Sequence, residues 1–272
     1  MILLVATGGM LFGLGFIFLN YRSNSEYEDY DFTVLKSIST EKDFKSNSIS
    51  EVFADSTSNL NFSNVRIQTY TISLFTSAKK AKVTVREAGH GSYHILLLHG
   101  HKYSSQIWQK LGTLQYLSKW GYRAVAVDMP KRENRTTTMD DDQEAIRWMG
   151  NLTKKLRLSN LVIISPCLSG DFALPYIFQL PKNQKLVRAF VAIAPNGTER
   201  FANDDYRQLT IPTLIVHAEH DSVFQPAYEL LIQIPNSEVL FMIGAGHNSY
   251  VDSPIFFHDG LRKFLYNVSR LA

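Results

Sequence analysis

Three side chains of the sequence have the chemistry of a nucleophilic catalytic site. Cys167 supplies a thiol, His247 an imidazole that can take a proton, and Asp221 a carboxylate that can orient the imidazole. Each follows an apolar run that is typical of a buried strand. Each also has a plainer interpretation, since Cys167 could be a small buried residue, Asp221 a helix N-cap and His247 a surface loop histidine. Their shared position after strands favours the catalytic interpretation.

The segment around Cys167 predicts a sharp turn from a strand into a helix. An apolar run over 161–164 precedes it and a second over 172–178 follows it. The small residues Ser165 and Ser169 flank Cys167 with the spacing of the nucleophile elbow, usually G-x-S-x-G. Such a turn lifts the central side chain out of the sheet and places it at a helix N-terminus. A thiol there, beside an imidazolium, is expected to have a lowered pKa.

The rest of the chain predicts alternating strands and helices. Continuous apolar strands connected by helices indicate a mostly parallel sheet covered by helices on both faces. The order nucleophile, acid, histidine is that of the α/β-hydrolase fold. Only residues 195–210 separate the sixth and seventh strands, so we expect no large lid. The predicted strands are 65–73 and 81–87 as an opening hairpin, then 94–100, 123–128, 161–164, 189–194, 213–217 and 239–243, and the main helices are 104–117, 140–156, 228–232 and 253–271.

An oxyanion hole in this fold uses the backbone N–H after the nucleophile and one from the loop after an earlier strand. Leu168 and His101 occupy those positions. A metal site is a weaker interpretation of the histidines, because no H-E-x-x-H helix is present and the single cysteine allows no cysteine pair. We therefore predict no metal.

Composition narrows the class of protein. The chain has 272 residues, of which 45% are hydrophobic, enough for a sizeable core. A net charge of +3 argues against a nucleic-acid partner.

The first residues predict a membrane anchor. Residues 2–19 carry no charge and are just long enough to cross a bilayer, which makes 1–21 a signal-anchor that contacts the lipid. A cleaved signal peptide is the alternative, but it would need a basic start and a small-residue cleavage site. Residues 22–61 are polar and predict a spacer, which leaves 62–272 as the catalytic domain.

Orientation is predicted from glycosylation sequons. A single-pass type II protein with its domain in the lumen or outside the cell is favoured, because glycans are added there. The charges that flank residues 2–19 do not determine the orientation, so a domain on the cytoplasmic side is the alternative. The five sequons begin at Asn61, Asn134, Asn151, Asn196 and Asn267.

With these residues in place, the chain resembles the abhydrolase-domain-containing 14 family over roughly residues 62–272. The charge-free leader is similar to that of the family's membrane-anchored A-type member. The resemblance implies a charge relay with esterase-like activity, carried here by Cys167, Asp221 and His247. For the soluble B-type it also implies removal of acetyl groups from protein lysine, with transfer to coenzyme A. The motifs that carry the likeness are LLLHG (96–100), Ser104-Ser105 with Trp108 and LGTL (111–114), GYRAVAVD (121–128) and ISPCLSG (164–170).

Two positions depart from the family pattern. The central elbow residue, a serine in the family, is Cys167, and the family's P-G-x-G loop reads PKRENR over 130–135. A cysteine nucleophile would form a thioester. The expected function is hydrolysis of small acyl esters, thioesters or amides, on a protein or a small molecule, and the alternative is a pseudoenzyme that serves as a binding scaffold.

No cofactor is predicted to be required, but coenzyme A is a candidate acyl acceptor. Lys131, Arg132 and Arg135 follow a strand end, where three cations would attract a phosphate-bearing thiol. The alternative is a solvated loop whose charges have no role.

Overall fold

An eight-stranded sheet forms the centre of the computed structural model, which describes residues 62, 64–75, 80–130, 139–179 and 186–270. The strand order is β1-β2-β4-β3-β5-β6-β7-β8. β1 and β2 pair antiparallel, β2 pairs antiparallel with β4, and the other neighbours are parallel. The strands are β1 Gln68–Phe75, β2 Lys80–Ala88, β3 His94–Leu97, β4 Arg123–Val127, β5 Leu161–Pro166, β6 Val187–Ile193, β7 Thr213–Ala218 and β8 Ser237–Met242.

Helices connect the parallel strands, and two more follow the last strand. The two long ones each have 17 residues, α3 over Met139–Lys155 and α8 over Pro254–Arg270. The shorter ones are α1 Gln106–Lys110, α2 Thr113–Lys119, α4 Gly170–Phe178, α5 Asn203–Gln208, α6 Gln225–Leu231 and α7 Ser249–Asp252. The predicted α/β fold with an opening hairpin is therefore confirmed.

Burial explains the apolar runs. All six residues of β5 are buried, as are all four of β3. A parallel strand that is covered on both faces needs apolar side chains pointing both ways, which gives a continuous run instead of an alternating one. The side chains of Trp148 on α3 and Phe172 on α4 meet edge to face, 5.2 Å between centroids, in the core beside the sheet. This packing fixes α4, which begins at the predicted elbow.

Two predicted helices are interrupted. The helix expected over 104–117 is split into α1 and α2, because Gly112 has φ of 76°, a left-handed conformation that an α-helix cannot contain. The helix expected over 253–271 is preceded by a separate turn, α7, and itself begins at Pro254, which is well suited to a first helical position. The predicted short connection between β6 and β7 is present, and it contains a 3-10 turn, Thr198–Arg200, and α5.

The prediction of a single-pass type II membrane protein requires correction. Among the residues that the structure describes, no helix is long and apolar enough to cross a membrane. The longest helices, α3 and α8, carry charged residues along their length and fall short of the ~20 apolar residues that a span needs. The predicted anchor (2–19), with the rest of 1–21 and the spacer (22–61), lies outside the described residues.

Candidate active site

The elbow at Cys167 is a strained turn between β5 and α4. Cys167 has φ of 50° and begins a 3-10 turn, Cys167–Ser169, that leads directly into α4. A positive φ at a non-glycine residue costs about 1–3 kcal/mol and persists only where the surroundings enforce it. The buried hydroxyls of Ser165 and Ser169 are joined by a hydrogen bond of 2.9 Å, and Ser169 Oγ donates to the Pro166 carbonyl at 2.7 Å. The small flanking residues thus tie the turn together from inside.

The loop after β6 packs closely against the start of α4. A Cβ on Gly170 would lie 2.3 Å from the Asn196 carbonyl oxygen and 2.7 Å from Pro195 Cβ. The Asn196 N–H donates to the Cys167 carbonyl at 2.9 Å. Glycine at 170 therefore allows a backbone contact that holds the elbow in place.

His247 and Asp221 meet at the same edge of the sheet as Cys167. Asp221 follows β7 and is buried, and His247 follows β8. His247 Nδ1 donates to Asp221 Oδ2 at 2.8 Å, and the His247 imidazole forms a hydrogen bond with the Cys167 thiol. The three residues predicted from chain order are brought together in the sequence thiol, imidazole, carboxylate.

The charges of this group favour a thiolate–imidazolium pair. Hydrogen bonds that His247 makes to Asp221 and Cys167 raise its pKa to about 10, against the opposing effect of burial. Burial raises the pKa of the Cys167 thiol, but the hydrogen bond and charge of His247 outweigh it, so that the pKa is lowered overall. A thiol that loses its proton to the adjacent imidazole is a prepared nucleophile.

The predicted oxyanion donors also face the thiol. The backbone N–H groups of His101 and Leu168 both form hydrogen bonds to the Cys167 side chain and lower its pKa. Donors in these positions can stabilise negative charge on the oxygen of a carbonyl under attack by the sulfur. The arrangement is suited to acyl transfer.

Buried polar contacts fix the loop that carries His101. His99 Nδ1 donates to the Gly100 carbonyl at 2.9 Å, and His99 Nε2 accepts the Met129 N–H at 2.9 Å. Burial lowers the pKa of His99 and keeps it neutral, as this pairing requires. The backbone and hydroxyl of Ser105 donate to Asp128 Oδ1 at 2.8 and 2.6 Å. The loop is therefore anchored to the end of β4.

Sequence reasoning missed two aromatic neighbours of the site. Phe224 stacks on the His247 ring with centroids 4.4 Å apart and planes at 14°. Tyr250 follows His247 by three residues, is buried, and places its hydroxyl beside Gly100. The only signal for either is an aromatic side chain shortly after a candidate catalytic residue, which is too common a pattern to identify a site.

The other histidines that were considered as metal ligands have separate surroundings. His217 stacks on Tyr228, 4.4 Å between centroids, and His220 is exposed. Within the described ranges no group of three or more His, Cys, Asp or Glu side chains is placed to hold a metal ion.

A cleft of about 360 Å³ borders the site on the β6 side. Phe224 belongs to both the cleft wall and the stack on His247. The lining of the cleft is both polar and apolar, with the carboxylates of Asp171 and Glu199 beside apolar side chains such as Val223 and Leu230. Asp171 is paired with Arg200 at 3.2 Å, and Arg200 also pairs with Asp142.

The sequons that the structure describes lie on two surface helices and beside the elbow. Asn151 and Asn267 are exposed on α3 and α8, and the Asn151 amide donates to the Phe75 carbonyl at 3.0 Å. Asn196 is half-buried against the elbow. Asn61 and Asn134 lie outside the described residues, as do Lys131, Arg132 and Arg135.

Comparison with known proteins identifies the family. ABHD14B of Rattus norvegicus, a candidate protein-lysine deacylase by name, is 39% identical over 181 residues, which cover 65% of this chain and 85% of that protein. The chain belongs to the ABHD14 family. Protein ABHD14A of Mus musculus is 37% identical over 174 residues, which cover 63% of this chain and 69% of that protein. No family model matches the chain.

Solved structures show that this chain has the α/β-hydrolase fold. A predicted CIB-like hydrolase from Thermoplasma acidophilum matches with a TM-score of 0.64 and 24% identity, over 74% of this chain and 100% of that one. Carboxylesterase CesB of Bacillus subtilis matches with a TM-score of 0.61 and 16% identity, over 79% and 96% of the two chains. At these identities the likeness concerns the fold alone.

Proposed function

We propose that this ABHD14 chain hydrolyses small acyl esters, thioesters or amides through a charge relay of Cys167, His247 and Asp221. The observation that carries the proposal is the Cys167 thiol, whose pKa is lowered beside an imidazole that Asp221 holds at 2.8 Å. A cysteine that served only as a core residue would be expected to have a raised pKa. The family and the fold support a hydrolase, and the contacts of these three side chains support the mechanism.

The first half-reaction forms a thioester. The Cys167 thiolate attacks the acyl carbonyl carbon, and the electron pair of the C=O bond moves onto oxygen, where the N–H groups of His101 and Leu168 stabilise it. When the carbonyl reforms, the bond to the leaving group breaks and the His247 imidazolium gives that group its proton.

The second half-reaction releases the acid. Neutral His247 takes a proton from water, the resulting hydroxide attacks the thioester, and the C–S bond breaks. The sulfur leaves as thiolate and His247 remains protonated, which restores the starting pair. Asp221 stays ionised and keeps Nδ1 protonated throughout.

The short β6–β7 connection supports small acyl groups as substrates, because one 3-10 turn and the six-residue α5 leave little chain with which to cover a long acyl group. An open site also suits an acyl group presented on a protein, and the deacylase name of the rat relative favours a lysine side chain. The cleft next to Phe224 is the nearest space for the leaving group. Coenzyme A is an additional candidate acceptor, on the strength of the cations in 131–135.

A binding scaffold is the second candidate, favoured by cysteine at the position where the family pattern has serine. The two are separated by reacting the protein with a small acetyl ester or thioester and measuring product release and the intact mass. We expect wild type to turn over and to add one acetyl group at Cys167, whereas Cys167→Ala does neither. Wild type that shows neither turnover nor an acyl adduct, under conditions where Cys167→Ser is active, would establish that the thiol cannot support the reaction. Inactivity of both would favour the scaffold.

A further inference from the structure

The hydroxyl of Tyr250 is a buried polar group whose proton has no acceptor among the described residues. The side chain is 1% exposed. The backbone N–H of Gly100 approaches the hydroxyl oxygen closely enough to lower its pKa, but among the described residues the hydroxyl has no hydrogen bond of normal geometry. Buried hydroxyls are almost always paired, since an unpaired one loses its contacts with water and gains nothing. Such an exception inside a candidate active site indicates that the group forms its hydrogen bond with a bound ligand.

Aromatic packing leaves the hydroxyl no freedom to turn away. The Tyr250 ring is stacked on Trp108, 4.8 Å between centroids at 28°, and meets Tyr103 and Phe257 edge to face. Trp108 is itself fixed, because Nε1 donates to the Leu98 carbonyl at 2.7 Å. The ring is thus held from several sides, and this packing fixes the direction in which its hydroxyl points.

That direction is the space beside the nucleophile. A Cβ added to Gly100 would lie 3.5 Å from Cys167 Cβ and 3.8 Å from the Tyr250 hydroxyl oxygen. The thiol-bearing residue and the phenol therefore face the same small space over Gly100. The His101 N–H, one of the two candidate oxyanion donors, belongs to the next residue along this loop.

The Tyr250 hydroxyl keeps its proton and can therefore donate a hydrogen bond. Burial raises the pKa of Tyr250, the negative charges of ionised Tyr103 or Cys167 would raise it further, and these effects outweigh the lowering by the Gly100 N–H. The phenol therefore stays neutral beside a thiolate. A neutral phenol has one proton to donate, and an acyl oxygen under attack is an acceptor that gains charge during the reaction.

We propose that the Tyr250 hydroxyl is a third donor to the acyl oxygen, alongside the backbone N–H groups of His101 and Leu168. The inference rests on the proposed function, because it needs an acyl group on Cys167. No proton is transferred in this role, and the hydrogen bond strengthens as the oxygen becomes negative. Tyr250 is then a catalytic residue that touches the reacting atoms.

The test is the single-turnover acylation of Cys167 by a small acetyl thioester, followed by intact mass. Tyr250→Phe keeps the ring and removes only the hydroxyl, so we expect acylation about a hundredfold slower, the lower range for loss of one oxyanion donor. The Tm should change little, because among the described residues the hydroxyl makes no hydrogen bond of normal geometry. Tyr176→Phe is the matched control. Its buried hydroxyl contacts Thr153 Oγ1 at 3.4 Å near the far end of α4, and its acylation rate should equal that of wild type.

A spectroscopic measurement separates a direct contact from a structural effect. The infrared stretch of a ¹³C-labelled acetyl carbonyl on Cys167 should move to higher frequency in Tyr250→Phe, because one hydrogen bond to the carbonyl oxygen is lost. Gly100→Ala is a second variant whose new Cβ makes only ordinary contacts, so it should fold, and filling the space should slow acylation.

The outcomes are distinguishable. Wild type that never becomes acylated at Cys167 contradicts the proposed function and this inference with it. Wild type that is acylated while Tyr250→Phe or Gly100→Ala reacts equally fast overturns the inference alone. A large Tm loss in Tyr250→Phe, or an unmoved carbonyl stretch, overturns it as well, since the main partner of the hydroxyl would then be structural instead of the acyl oxygen.

Discussion

Gly170→Ala should destabilise the protein because the added methyl group has no space. Its Cβ would lie 2.3 Å from the Asn196 carbonyl oxygen, whereas ordinary contacts begin at 3.4 Å. The loop would have to move away by about 1 Å, a typical overpacking strain of about 1–3 kcal/mol. The same movement would break the 2.9 Å hydrogen bond from Asn196 N–H to the Cys167 carbonyl, a loss of about 1 kcal/mol.

These effects together predict a loss of about 2–4 kcal/mol in the free energy of unfolding. For a domain of this size that corresponds to a fall in Tm of about 4–16 °C. Alkylation of Cys167 should also slow, because the elbow loses the contact that positions it. Thermal unfolding followed by circular dichroism measures the first effect, and iodoacetamide labelling followed by mass measures the second.

Gly150→Ala is the matched control. Gly150 lies in α3, where an added Cβ meets nothing within 4 Å, so alanine should stabilise the helix by up to ~1 kcal/mol and leave alkylation unchanged. A Gly170→Ala protein that melts at or above the wild-type temperature would refute the packing argument, as would equal losses in the two variants.

Three further predictions concern the reaction. Asp221→Asn should lower turnover about a hundredfold or more. It should also raise the pH midpoint of Cys167 alkylation, because the hydrogen bond to Asp221 is the largest cause of the His247 pKa of about 10. An unchanged midpoint would contradict this. In steady-state assays kcat/KM should be higher for acetyl than for long-chain substrates, and the reverse order would exclude an open site. Coenzyme A should accelerate loss of an acetyl substrate and yield acetyl-coenzyme A, with a smaller acceleration in the Lys131→Ala, Arg132→Ala double variant; no effect at millimolar concentration would make the protein a simple hydrolase.

The parts of the account that follow from local sequence were predictable. The apolar run of β5 and the small residues around Cys167 determine a buried strand and a tight turn, and both depend on neighbours in the chain. Asp221 and His247 could be placed near Cys167 because parallel strands bring their carboxyl ends to one edge. The backbone donors at His101 and Leu168 followed from the same geometry.

The parts that depend on distant packing were not predictable. The role of Tyr250 depends on Trp108 and Phe257, which hold its ring, and on the absent side chain of Gly100. An aromatic residue at the start of an amphipathic segment gives no sign of such surroundings. The break at Gly112 was missed for a related reason, since helical spacing continues through it and only the left-handed backbone reveals two helices.

The most direct test of the central claim is the alkylation rate of Cys167 measured against pH. Cys167 is the only cysteine, so a neutral reagent such as iodoacetamide reports on that thiol alone. The lowered pKa of Cys167 beside His247 predicts a midpoint well below the ~8.5 of a free thiol. As the pH is raised, the thiolate–imidazolium pair should persist until His247 deprotonates near its pKa of about 10. His247→Asn should move the midpoint upward. A wild-type midpoint at or above ~8.5, unchanged in His247→Asn, would make Cys167 an inert core residue.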